Sequence, residues 1–181
     1  MINDYEATEP ITSTANPVTP DAEPVSNDGV ISQLNGLIET CRDGQEGFRE
    51  AAESVETSET KSFFAEASQQ RAKFVGELQG LVRDLGGDPE NSGSIAGAVH
   101  RGWMDLKAAI AGNDEHSVLV ECERGEDSAK RNYAAALGKD LPANVRSTLQ
   151  AQADAVRATH DRVKALRDAT GNNNSSAATG F

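Results

Sequence analysis

Ile31-Ser-Gln-Leu34-Asn-Gly-Leu-Ile38-Glu-Thr-Cys41-Arg-Asp-Gly-Gln45-Glu-Gly-Phe48-Arg-Glu-Ala-Ala52-Glu-Ser-Val55 is the stretch on which the fold turns. Its apolar positions Ile31, Leu34, Ile38, Cys41, Phe48, Ala52 and Val55, with Gln45 in the one polar slot, recur in alternating steps of three and four. That is the 3.5-residue seam of helices packed nearly parallel to one another. The same rhythm returns three times. It runs through Phe64, Ala67, Arg71, Phe74, Leu78, Leu81 and Leu85; then through Leu119, Cys122, Glu126, Ala129, Tyr133 and Ala136. The last series is Val145, Leu149, Gln152, Val156, Thr159, Val163 and Leu166. No segment alternates with period two, so strands are not expected. The pattern predicts an all-α bundle of four long helices.

Punctuation places the helix ends. Asp28 is expected to cap the first helix, Thr57 or Ser58 the second, and Asn113 or Asp114 the third. Gly86-Gly87-Asp88-Pro89 stops the second helix, because Gly accepts the left-handed cap and Pro blocks continuation. The third closes near Gly138, and Pro142 suits the first position of the fourth. Short turns make antiparallel hairpins of helices one and two and of helices three and four. Roughly 27 residues separate the hairpins, with a helical rhythm of their own at Ile95, Val99, Trp103 or Gly102, Leu106 and Ile110. The second helix is about 40 Å long at 1.5 Å per residue, and a partly helical linker of that size can travel the whole bundle. The expected fold is therefore a ferritin-like four-helix bundle with an additional crossover helix between the second and third helices.

Composition bounds the rest. The 181 residues carry 29 Asp and Glu against 17 Lys and Arg, a net charge of −12. With no basic cluster, a nucleic-acid partner is not expected, since phosphate contacts need grouped Lys and Arg. Neither is a membrane partner, because no apolar run approaches a span. Two cysteines make no disulfide framework, and the N-terminus lacks a signal peptide's basic and apolar regions, so the reducing cytoplasm is the expected compartment. Residues 1–27 contain Pro10, Pro17, Pro20 and Pro24, five acids and no Lys or Arg. They read as a disordered acidic tail. Residues 170–181 read as a disordered polar tail, leaving a bundle over 28–169.

A shift of 81 residues lays Cys41-Arg-Asp-Gly44-Gln45-Glu46 on Cys122-Glu-Arg-Gly125-Glu126-Asp127, as a duplicated hairpin would. Three stretches occur in order: Cys41-Arg-Asp-Gly44-Gln-Glu-Gly47-Phe48-Arg, Gly97-Ala-Val-His100-Arg101-Gly-Trp103-Met-Asp-Leu-Lys107, and Glu121-Cys122-Glu123-Arg124-Gly125-Glu126-Asp127. Over residues 29–168 the chain resembles a bacterial family of ferritin-like four-helix-bundle proteins catalogued as a domain of unknown function. The resemblance implies the fold and brings no activity with it.

Iron chemistry in ferritin-like bundles uses a Glu on each of two helices and Glu-x-x-His on the other two. Here Gly97, Asn113 and Arg157 stand three residues before His100, His116 and His160, so the motif is missing. The seam instead carries Gln45, Arg71, Glu126 and Gln152, one polar residue per helix. These are expected to form a mid-bundle polar layer whose arginine takes the place of a metal cation. An alternative sets Arg71 one position off the seam, snorkelling to water. His160 is expected to pair with an acid of the third helix such as Glu123. Cys41 and Cys122 fill core volume, and Gly44, Gly47 and Gly125 allow close approach of the first and third helices. His100, Arg101 and Trp103 mark the crossover helix, which Trp103 staples to the bundle. The sequence contains no phosphate loop, Ser–His–Asp set or Cys-x-x-Cys motif. It thus points to a non-enzymatic structural, interaction or stress-related protein without a cofactor. A homo-oligomer or a protein partner would use a bundle face or the tails. The competing reading is an iron-binding protein using Glu46, Glu50, Glu66, Glu123, Glu126 and His160.

Overall fold

A computed structural model describes residues 27–89, 109–112 and 114–178, with side chains as far as Gly171. Among these residues the regular structure is helical throughout, without a strand. The helices are α1 (Asp28–Ser54), α2 (Ser58–Asp84), α3 (Glu115–Leu137) and α4 (Ala143–Ala178), with a helical turn at 109–111. No helix among the described residues is long and apolar enough to cross a membrane.

The ends differ in chemistry from several of the expectations. Asn27, not Asp28, occupies the cap position of α1, and its side chain makes no capping bond. Asn27 Nδ2 instead reaches the Leu85 carbonyl at 3.4 Å. Asp28 lies within the first turn, where the positive end of the helix dipole favours an anion. Thr57 precedes α2 without capping it; its hydroxyl donates to Glu115 Oε2 at 2.8 Å, tying the start of α2 to the start of α3. Asp114 does cap α3, accepting from the His116 and Ser117 amides. Gly86 takes φ +81 beyond the end of α2, a conformation that favours glycine. Gly138, at φ −74, needs no such freedom. The carbonyls at the end of α3 are served by Arg146, whose guanidinium donates to Leu137 O at 2.9 Å and Lys139 O at 2.7 Å. At the far end α4 continues to Ala178, nine residues past 169. The polar composition of 170–178 does not stop a helix that already has a packed turn to grow from: Thr170 Oγ1 lies 3.1 Å from His116 Nδ1.

Side-chain contacts give the helix directions. Asn132 Nδ2 donates to Thr40 Oγ1 and Tyr133 meets Cys41, while Thr57 bonds to Glu115. Rising numbers on α1 therefore meet falling numbers on α3, and the two helices run antiparallel. By the same test α2 and α4 run antiparallel, through Glu77–Gln152 and Gln70–Thr159. With both hairpins antiparallel as well, the end of α2 and the start of α3 lie at opposite ends of the bundle.

Two apolar clusters fill the interior. One gathers Leu34, Ile38, Leu78, Val82, Tyr133, Val145 and Leu149; the other Phe48, Phe64, Leu119, Cys122 and Val163. Each fully buried Leu or Phe contributes roughly 1.5–3 kcal/mol relative to exposure. On every helix, residues of the first cluster lie to one side of a polar level and those of the second to the other.

Candidate functional site

Arg71 reaches that level from α2 because its seam position points at the bundle axis. The residue is 1% exposed, and so is Glu126 opposite it on α3. One guanidinium nitrogen of Arg71 donates to Glu126 Oε2 at 2.6 Å, and another donates to Gln70 Oε1 at 2.6 Å. Thr159 of α4 also donates to Gln70 Oε1, at 3.3 Å. The guanidinium carbon stands 5.7 Å from the Phe48 ring centre and 5.5 Å from that of Phe74, so both aromatic faces add attraction to the cation. The head of Arg71 is thus in the core and does not snorkel to water. Room for its stem comes from Gly44 on α1, where an added Cβ would lie 3.4 Å from Arg71 Cγ. Gly44 accommodates a side chain from α2, rather than a close approach of the α1 and α3 backbones.

Gln152 does not join Arg71 and Glu126. It belongs to a second polar chain about two turns away, where the Tyr133 hydroxyl donates to Gln152 Oε1 at 2.8 Å and Gln152 Nε2 donates to Glu77 Oε2 at 2.8 Å. Cys41 Sγ sits 3.2 Å from the same hydroxyl. Gln45 is half-buried, and its backbone carbonyl accepts from the Ser68 hydroxyl at 2.8 Å. Gln152 stands apart from the pair because α4 packs in a register that sets Thr159, and not Gln152, level with Arg71. The sequence does not single out Gln70, Tyr133 and Thr159 as members of these polar chains, nor the part-exposed Glu77 at the end of one of them. Two of them look like ordinary seam positions, and the other two lie beside the seam.

Burial pushes the Glu126 carboxyl upward, and the Arg71 charge and hydrogen bond pull it back, with burial prevailing. Burial also raises Cys41 to about 11 and Cys122 well above the ordinary thiol value. Both are therefore protonated thiols at neutral pH, whereas a nucleophile or metal ligand must be a thiolate. They are unpaired as well as buried.

His160 forms a separate cluster on α4. Its Nε2 lies 3.1 Å from Asp127 Oδ1, 3.2 Å from Lys130 Nζ and 4.0 Å from Glu123 Oε1. Its Nδ1 is 3.0 Å from Asp161 Oδ1. The hydrogen bond with His160 holds the Asp161 carboxyl below the usual aspartate range. Glu123, the expected partner, is the more distant acid, and its other oxygen is paired with Arg167.

This donor set does not fit the di-iron centre that the resemblance to ferritin-like proteins would imply. Glu126 is bonded to a buried cation, and Glu123 and Asp127 face Arg167 and Lys130. Glu46 is exposed and paired with Arg49; Glu66 is exposed on α2. Glu50 borders a shallow groove with Glu53, Ser54 and Ile110. Among the described residues, no three His, Cys, Asp or Glu side chains are grouped so as to hold a metal ion. His100, Arg101 and Trp103 lie outside the described residues.

A family model described as Domain of unknown function (DUF2383) matches residues 29–139, more than half of the chain. The chain belongs to this family. No curated protein matches it. The DUF2383 match takes in α3 whole and nearly all of α1 with α2, so Gly44, Arg71 and Glu126 fall inside it. Gln152, Thr159 and His160 lie beyond it on α4.

Proposed function

We propose that this DUF2383 chain is a ferritin-like bundle that works without metal and without catalysis, as a structural or interaction protein. The observation carrying this reading is the Arg71–Glu126 pair at 2.6 Å, 1% exposed on both sides. It stands at the mid-bundle level where ferritin-like proteins set their inward Glu and His ligands. A guanidinium there supplies the positive charge a metal would bring and repels a divalent ion approaching the same carboxylate. Antiparallel α1 and α3, with a long connection between α2 and α3, support the ferritin-like topology. Raised thiols at Cys41 and Cys122 support an interior without nucleophiles.

Elemental analysis of protein purified from iron-supplemented cells tests the reading. Substoichiometric iron is the expected result. About two irons per chain, the load of a di-iron bundle, would overturn it and restore the carboxylate-based iron reading.

A further inference from the structure

A groove of about 450 Å³ lies between α3 and α4. Its floor includes Tyr133, Leu137 and Ala153, and its rim carries Lys130, Arg131 and Arg157, with Asp127 the one acid among the lining residues. Two of these cations have acids beside them: Lys130 is 3.3 Å from Asp127 and Arg157 is 3.7 Å from Asp154. Arg131 is exposed. A cationic groove stands out in this chain. The first hairpin, residues 27–89, holds twelve Asp and Glu against six Lys and Arg. The most one-sided segment of all is residues 1–26, with Asp4, Glu6, Glu9, Asp21 and Glu23 and no cation.

We propose that the acidic segment 1–26 occupies the α3–α4 groove of its own chain, its carboxylates on Lys130, Arg131 and Arg157. Sign favours the match, because the tail is repelled by the acidic first hairpin and attracted by the groove. Apolar residues Ile2, Tyr5, Ile11 and Val18 suit a floor of Leu137 and Ala153. Reach also suffices. Thr40 is level with Asn132, beside the groove, and Asn27 precedes Thr40 by thirteen residues, about 20 Å along α1. Crossing to the neighbouring helix adds about 10 Å. By coil statistics 26 residues reach about 28 Å on average, and fully extended they reach at most about 85 Å. Tethering gives an effective concentration in the millimolar range, so a weak site is still substantially occupied.

Zero-length carbodiimide coupling of the full-length protein, mixed as ¹⁴N and ¹⁵N chains and mapped by mass spectrometry, tests this. The expected product joins a carboxylate of 1–26 to Lys130 within one chain. Its yield should exceed that at Lys61, Lys73, Lys139 or Lys164. It should fall several-fold in about 1 M NaCl, where charges are screened beyond roughly 3 Å. It should fall likewise in the folded Arg131→Glu, Arg157→Glu double variant, which keeps the reacting lysine. Three results would overturn the proposal: no coupling of the tail, coupling spread evenly over the lysines, or Lys130 links found only between differently labelled chains. If the double variant does not fold, the salt dependence decides alone.

Discussion

At the scale of single residues, Arg71 sets the terms. Its cation and the Glu126 anion are held out of water by two apolar clusters, so neither can lose the other without being left buried and uncompensated. Arg71→Leu should therefore lower stability in urea denaturation by about 3–5 kcal/mol, and Arg71→Leu with Glu126→Leu should recover much of that loss. A single variant as stable as the parent would show that the pair is not buried in solution. Asp114 offers the opposite case, an exposed carboxylate acting on a helix end. Asp114→Ala removes the cap of α3 and should cost about 1 kcal/mol. The pH dependence has a definite sign. Hydrogen bonding to Ser117 lowers the folded-state pKa of Asp114, so its stabilisation is present above the unfolded value of about 3.9 and fades as pH falls through the lower folded value. The gap between parent and variant should hold at neutral pH and close only in acid. A gap that closed near pH 6 would assign the effect to another group.

Among the elements, α2 carries avoidable flexibility. Among the described residues, an added Cβ at Gly76 or Gly80 would meet nothing within 4 Å, and neither position takes a positive φ. Because Gly in a helix interior is about 1 kcal/mol less favourable than Ala, Gly76→Ala with Gly80→Ala should stabilise by about 1–2 kcal/mol. Calorimetry should find the melting temperature higher by several degrees. A fall would mean that these positions face a contact formed only in solution. Gly44 is a different case on α1, since the Arg71 stem fills the space beside it. The chemistry that costs helix propensity in α2 makes room for a buried cation in α1.

For the whole molecule, topology decides the fate of the cysteines. With α1 and α3 antiparallel, Cys41 is level with Tyr133 and packs in the cluster of Leu34 and Leu78. Cys122 lies eleven residues earlier on α3, in the cluster of Phe48 and Phe64. Eleven helical residues make about 16 Å, while a disulfide needs Cα atoms within roughly 7 Å. Mild oxidation of the folded protein should leave two alkylatable thiols, and a Cys41–Cys122 peptide in mass spectrometry would refute the antiparallel pairing.

The sequence alone determined the helices, because each buries one stripe and a stripe is written directly in apolar spacing: Ile31 to Val55 needed nothing beyond the period. It also placed Arg71 and Glu126 on that stripe, and Asp114 and Gly86 at ends where local chemistry acts within a few residues. Tertiary structure alone decided what shares a level. Gln152 sits on the stripe as plainly as Glu126, yet pairs with Tyr133 and Glu77 because the register between α3 and α4 depends on turn geometry and the summed packing of many side chains. The same applies to Thr57, whose hydroxyl finds Glu115 across the bundle, and to Thr170, which meets His116 and lies within a helix that the local composition argued against. Periodicity fixes where a side chain points around its own axis; how far one axis slides along another is set only when the helices meet.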